Sequence, residues 1–80
     1  MVEEAEEYLR NRGFLQLRVR AHGRLARIEL LRQDMERAID GSDEIAKILK
    51  AIGFDYVTLD LQGFRSGSMN EVIQLNVRKS

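Results

Sequence analysis

The side chains of this chain best suited to chemistry belong to two short stretches in which apolar and polar residues alternate: Arg18, Arg20, Arg27 and Glu29. Successive side chains of a β-strand point to opposite faces, so this spacing places all four on one face of a strand pair. An arginine guanidinium offers a fixed fork of N–H donors that suits phosphate better than lysine does. The spacing therefore predicts a local anion site. A solvated charged face, screened by salt, is the alternative interpretation.

The two stretches meet at His22-Gly23 and predict a β-hairpin with strands over residues 14–21 and 24–31. A two-residue turn there places Arg18 directly opposite Arg27, and like charges opposite each other on a sheet repel. We interpret His22 as a turn residue rather than a catalytic one. The same register predicts an apolar face built from the pairs Leu15 with Leu30, Leu17 with Ile28 and Val19 with Ala26.

Helix start and stop signals predict three helices around this hairpin. The first covers residues 2–12 and ends at Gly13, the second is capped by Asp34, and the third is capped by Ser42 and ends before Gly53. The third helix has the clearest apolar face, with residues at helical spacing: Ile45, Ile48, Leu49 and Ile52.

A third strand is predicted over residues 56–61, where Val57, Leu59 and Leu61 alternate with polar positions. Residues 63–70 predict a loop, and residues 73–77 predict either an edge strand or a frayed terminus. Residues 1–80 are thus expected to form one α+β domain. We expect a small two-layer sandwich with a mainly antiparallel sheet of three to four strands and helices on one face. The opposite, exposed face of the sheet would gather its polar residues: Arg18, Arg20, Arg27, Glu29, Thr58 and Asp60.

The composition excludes several classes of function. Thirteen basic and thirteen acidic residues cancel, so no global field attracts nucleic acid or a membrane, and neither is expected as a partner. No apolar run is long enough to span a bilayer. Cysteine is absent, which fits a reducing compartment, and we expect a cytoplasmic location. With one histidine and no metal-loop spacing of carboxylates, no metal site and no resident cofactor are expected.

Four motifs carry a resemblance to a known family. RVRAHG at residues 18–23 and LARIE at residues 25–29 resemble the C-terminal part of the ATP-dependent sacrificial sulfur transferases of the LarE type, in the superfamily of PP-loop ATP pyrophosphatases. GFDYVTLDL at residues 53–61 and GFRSGSMN at residues 63–70 resemble the closing segment of that family. The similarity covers nearly all of residues 3–71, with the motifs in the order of the family.

The resemblance implies a role in the biosynthesis of a nickel-pincer cofactor. A full-length member has an N-terminal PP-loop domain that uses ATP and Mg²⁺ to adenylate a pyridinium carboxylate mononucleotide, and then gives up a cysteine sulfur to it. The resemblance implies that Arg18, Arg20 and Glu29 lie near the substrate phosphate and the transfer site. The alternation of the hairpin adds Arg27 to the same face. The pyrophosphatase loop and the sulfur-donating cysteine are absent here, so the chain alone cannot run the reaction. Arg24 also replaces an acid that is common in the family after the turn glycine.

Two functions follow as hypotheses. In the first, the chain is an accessory phosphate- and substrate-binding domain that works with a PP-loop catalytic domain on the same or a separate chain, with a homo-oligomer as a further possibility. In the second, it is a stand-alone protein-interaction module without a small-molecule ligand. An RNA-binding module is disfavoured because the predicted sheet lacks exposed aromatic residues on which bases could stack.

Overall fold

The computed structural model describes residues 1–65. It contains three helices and three strands in the following chain order: α1 Val2–Asn11, β1 Leu17–His22, β2 Leu25–Leu30, α2 Arg32–Asp40, α3 Ser42–Ile52 and β3 Tyr56–Leu59. The predicted α+β class is confirmed. The strand predicted over residues 73–77, and most of the loop predicted over residues 63–70, lie outside the described residues.

The sheet has the order β1-β2-β3, with β1 antiparallel and β3 parallel to the central strand β2. The parallel pairing follows from the connection, because α2 and α3 lie between β2 and β3 and return the chain to the same end of the sheet. The sheet is therefore mixed. Six residue pairs join β1 and β2 in antiparallel orientation, and four pairs join β2 and β3 in parallel orientation, so antiparallel pairing predominates.

The hairpin turn differs from the prediction by one position. His22 pairs with Leu25, so the turn residues are Gly23 and Arg24, and His22 ends β1 as an exposed strand residue. Gly23 has a φ of 60°, and no residue other than glycine has a positive φ in the described chain. A glycine with positive φ in the first central position is typical of a type II′ hairpin turn. The turn is therefore set by the glycine rather than by the histidine before it.

Because the turn moves by one residue, the strand register moves by two. Leu17 now pairs with Leu30 and Val19 with Ile28. The predicted pairs of Leu17 with Ile28, Val19 with Ala26, and Arg18 with Arg27 are wrong. A shift of two keeps each side chain within β1 and β2 on its predicted face, since the side-chain period of a strand is two. The apolar face accordingly buries these residues: Leu17, Val19, Ala26, Ile28 and Leu30.

Both predicted helix caps are also corrected. Helix α2 begins at Arg32 after Leu31, so Asp34 lies in its first turn and is not its cap. Helix α3 is preceded by Gly41, and Ser42 is its first helical residue. Gly41 is the single residue between α2 and α3, and its carbonyl oxygen accepts the Ile45 N–H at 3.1 Å. This bond is the first backbone hydrogen bond of α3, and the helix has no side-chain hydrogen bond at its N-cap.

The core lies between the three helices and the apolar face of the sheet. Its largest fully buried side chains are Leu9, Phe14, Leu30, Leu49 and Phe54. Two leucines expected on the apolar face are exposed instead: Leu15 by 79% and Leu61 by 77%. Leu15 precedes β1 and Leu61 follows β3, so neither side chain lies on the sheet over the core.

Candidate functional site

The structure brings the four predicted site residues together on the face of the sheet opposite the helices. Arg18 pairs in register with Glu29, and Arg20 pairs with Arg27. Directly paired residues share a face, and Arg18 and Arg20 are two positions apart, so all four side chains point the same way. We call these four residues the arginine face. The corrected register gives Arg18 an acidic neighbour and makes Arg20 the arginine that lies opposite Arg27.

Glu29 lies at the centre of the arginine face. Its exposure is 7%, and it is the only charged residue that is buried among residues 1–65. Its Oε2 accepts hydrogen bonds from Arg27 Nη2 at 3.2 Å and from Arg20 Nε at 3.5 Å. A buried carboxylate requires charged or hydrogen-bonding partners. Two facing guanidinium groups therefore share one carboxylate oxygen, which offsets the repulsion expected from Arg20 opposite Arg27.

Asp60 joins the arginine face from the segment that follows β3. Its Oδ2 lies 3.8 Å from Arg27 Nε, so Arg27 is placed between two carboxylates. The Asp60 N–H donates to the Ile28 carbonyl at 2.8 Å, and Asp60 Oδ1 accepts the Gln62 N–H at 2.9 Å. The alternation of residues 56–61 placed Asp60 on this face, but its contact with Arg27 could not be found from sequence, because it depends on β3 pairing with β2.

Arg18 differs from the other two arginines of this face. Its side chain is exposed, and it forms no hydrogen bond or ion pair with any part of the chain that the structure describes. Arg20 is partly exposed and uses only its Nε within the face. The terminal nitrogens of both side chains are thus available to an incoming anion, whereas Arg27 is already engaged on two sides.

The arginine face offers guanidinium N–H donors that can bind an anion. The Thr58 hydroxyl on this face donates to the Ala26 carbonyl at 2.8 Å, so its proton is already committed. His22 is exposed at the end of β1, and its side chain forms no hydrogen bond within residues 1–65. In the same described range, no three His, Cys, Asp or Glu side chains cluster as metal ligands would. No helix of this range is long and apolar enough to cross a bilayer.

The hairpin tip does not add to the positive charge of the site. Arg24 forms a two-pronged ion pair with Asp55, with N···O distances of 2.8 and 3.1 Å. The hydrogen bond from Arg24 lowers the pKa of Asp55 and raises that of Arg24. The positive charge that Arg24 brings to the hairpin tip is therefore neutralised by Asp55, the residue before β3.

Sequence comparison supports the resemblance to LarE-type enzymes. Over 72 residues, which are 90% of this chain, it is 47% identical to the pyridinium-3,5-bisthiocarboxylic acid mononucleotide synthase of Lactiplantibacillus plantarum. It is also 42% identical over 74 residues to an uncharacterized protein of Synechocystis, and 40% identical over 65 residues to one of Methanocaldococcus jannaschii. The matched residues make up 26%, 28% and 25% of these proteins, so the chain spans about a quarter of the length of the curated relatives it matches. No family model matches the chain.

Proposed function

We propose that this chain is an accessory domain that binds the phosphate of a nucleotide-type substrate for a LarE-like sulfur transferase. The observation that carries the proposal is the arginine face, where Arg18, whose side chain has no partner within residues 1–65, lies beside an Arg20 that is held by a buried Glu29. The most similar of the relatives above is named as a mononucleotide synthase, and a mononucleotide carries a phosphate group. The proposed ligand is a pyridinium mononucleotide, and the proposed pathway is the biosynthesis of a nickel-pincer cofactor.

The four residues have different roles in this proposal. Arg18 and Arg20 contact the phosphate through their free nitrogens, and guanidinium groups suit a phosphate because their planar donors match its oxygens. Glu29 fixes the direction of Arg20 through the hydrogen bond to its Nε. Arg27 holds Glu29 from the other side and adds positive charge to the face.

The arginine face is a solvent-exposed surface that forms one side of the proposed binding site. Arg18 and Arg20 are exposed, and exposed charges bind a small anion weakly because water and salt screen them. We therefore propose that a PP-loop catalytic domain, on the same or a separate chain, closes the other side and supplies the ATP and Mg²⁺ chemistry. A homo-oligomer would carry one arginine face on each subunit. A cytoplasmic location is part of the same proposal.

A second candidate function is a protein-interaction module without a small ligand. The observation that favours it is the outer edge of β3, which pairs with no other strand among residues 1–65. Exposed Tyr56 and Leu61 flank this edge. An open strand edge beside apolar side chains is a common place for another chain to pair.

The first function is tested by titrating the protein with inorganic phosphate and with nicotinic acid mononucleotide while recording the arginine Nε–Hε signals by NMR. We expect the signals of Arg18 and Arg20 to shift at low salt, and to shift less at moderate salt. The Arg18→Ala/Arg20→Ala variant should lose the response. The matched control is Lys47→Ala/Lys50→Ala, which removes two exposed positive charges from α3 and should keep it.

If neither ligand disturbs any residue of the arginine face at low salt, the phosphate-binding role is wrong. The same holds if the lysine variant loses binding as completely as the arginine variant, since net charge alone would then explain it. Either outcome would leave the interaction module as the better candidate.

A further inference from the structure

Asp60 is held in a fixed position at the end of a chain of ion pairs. The pairs run from Arg20 to Glu29, from Glu29 to Arg27 and from Arg27 to Asp60. The Asp60 N–H continues the parallel ladder by donating to Ile28, and its Oδ1 accepts the Gln62 N–H. With one carboxylate oxygen committed to the backbone, Oδ2 is the oxygen that faces Arg27.

The Arg27 guanidinium is shared unequally between the two acids. Its Nη2 makes a hydrogen bond of 3.2 Å with Glu29, whereas its Nε lies 3.8 Å from Asp60 Oδ2 and is too far for a hydrogen bond. That Nε is buried and has no hydrogen-bond partner. A buried donor without a partner is costly, so the attraction of Asp60 is the interaction that compensates it in this position.

We propose that Asp60 is a positioning residue for the arginine face, one that sets how firmly Arg20 is tied to Glu29. Both arginines use the same oxygen of Glu29, so they compete for it. Asp60 draws Arg27 away from that oxygen and thereby leaves room for Arg20. Without the charge of Asp60, Arg27 moves fully onto Glu29 and Arg20 is released toward solvent. This inference rests on the proposed function and adds a residue to its site.

The consequence for binding has a definite sign. A released Arg20 adds its Nε–H to the donors that an anion can use, and in this proposal that gain outweighs the loss of the direction that Glu29 gives it. Asp60 therefore restrains phosphate binding by the isolated chain, and its removal should tighten binding by up to about fivefold, the scale of one exposed ion pair.

The test uses Asp60→Asn, which removes the charge but keeps an oxygen that can accept the Gln62 N–H. In the free protein, we expect the Nε–Hε signals of both Arg27 and Arg20 to shift, although Asp60 forms an ion pair with Arg27 and not with Arg20. The matched control is Asp55→Asn, which removes one negative charge at the other end of β3 and should shift Arg24 alone. Asp60→Glu restores the carboxylate and should return phosphate affinity toward that of the unsubstituted protein.

The outcomes separate this inference from the proposed function. If Asp60→Asn shifts only Arg27 and leaves phosphate affinity unchanged, while Arg18→Ala/Arg20→Ala abolishes binding, Asp60 has no positioning role and the phosphate site stands. If Asp55→Asn tightens binding as much as Asp60→Asn does, net charge explains the effect and the inference is overturned. If the unsubstituted protein binds no phosphate at low salt, the proposed function fails, and the role of Asp60 in binding fails with it.

Discussion

The two edges of the sheet are completed in different ways. On the edge formed by β1, Val19 is 2% exposed. The Val19 N–H donates to Glu6 Oε2 of α1 at 2.9 Å, so a side chain occupies a position where another strand could pair. Helix α1 thus both covers the apolar face of β1 and blocks part of its outer edge.

The edge formed by β3 has neither feature within residues 1–65. Val57 and Leu59 are only partly buried, and Tyr56 is 69% exposed. An apolar pocket of about 140 Å³ lies between β3 and the helices α2 and α3, and its lining includes Ala46. Both strands carry the same alternating pattern, so the difference shows that burial depends on the helix that packs over a strand.

The largest effect is expected when matched leucines on the two edges are truncated. Leu17→Ala on β1 removes a buried side chain and should lower the free energy of unfolding by about 2–5 kcal/mol. Leu59→Ala on β3 should cost roughly 1–2 kcal/mol, because that side chain is partly exposed and borders an existing pocket. Urea denaturation of both variants measures the difference, and equal losses would contradict it.

The next effect concerns the blocked edge. Glu6→Ala leaves the Val19 N–H without its acceptor and should cost about 1–3 kcal/mol, the usual penalty for an unpaired buried donor. Glu6→Gln keeps an oxygen acceptor and should recover most of that loss. If Glu6→Gln is as unstable as Glu6→Ala in urea, the ion pair of Glu6 with Arg10 matters more than the strand edge.

A smaller effect, of opposite sign, is expected from filling the pocket beside β3. Ala46→Leu adds three carbons at a helical position that lines the pocket, and leucine is nearly as good a helix former as alanine. We expect the free energy of unfolding to rise by less than about 1 kcal/mol after packing adjustments, so that thermal unfolding occurs at a higher temperature. The control is Ala51→Leu on the exposed side of α3, which should have no such effect.

The smallest effect is the pH dependence contributed by Asp55 at the start of β3. Arg24 lowers the pKa of Asp55 below its ordinary value of 3.8. The stabilisation is therefore fully present above pH 3.8 and is lost as the pH falls through the lower pKa of the folded state. Asp55→Asn should flatten the acid limb of a stability–pH curve. Asp40→Asn, which removes an acid with no ion pair in the described range, should leave that limb in place.

The faces of the hairpin could be predicted from sequence, but its pairs could not. Alternation placed Arg18, Arg20, Arg27 and Glu29 together, and the structure agrees. The predicted pair of Arg18 with Arg27 failed because sequence spacing does not show which residues form the turn. Even an error of two positions leaves the faces intact, which is why the arginine face survived the wrong register.

Local patterns in the sequence determined the helices, the stops at Gly13 and Gly53 and the apolar side of each strand, because these depend on neighbours a few residues apart. Tertiary structure decided the parallel pairing of β3, the burial of Glu29 and the approach of Asp60 to Arg27. Asp60 and Arg27 are far apart in the chain and meet only because β3 packs beside β2. That contact depends on the connection through α2 and α3, which sets where β3 pairs. The periodicity of a single strand does not predict this pairing.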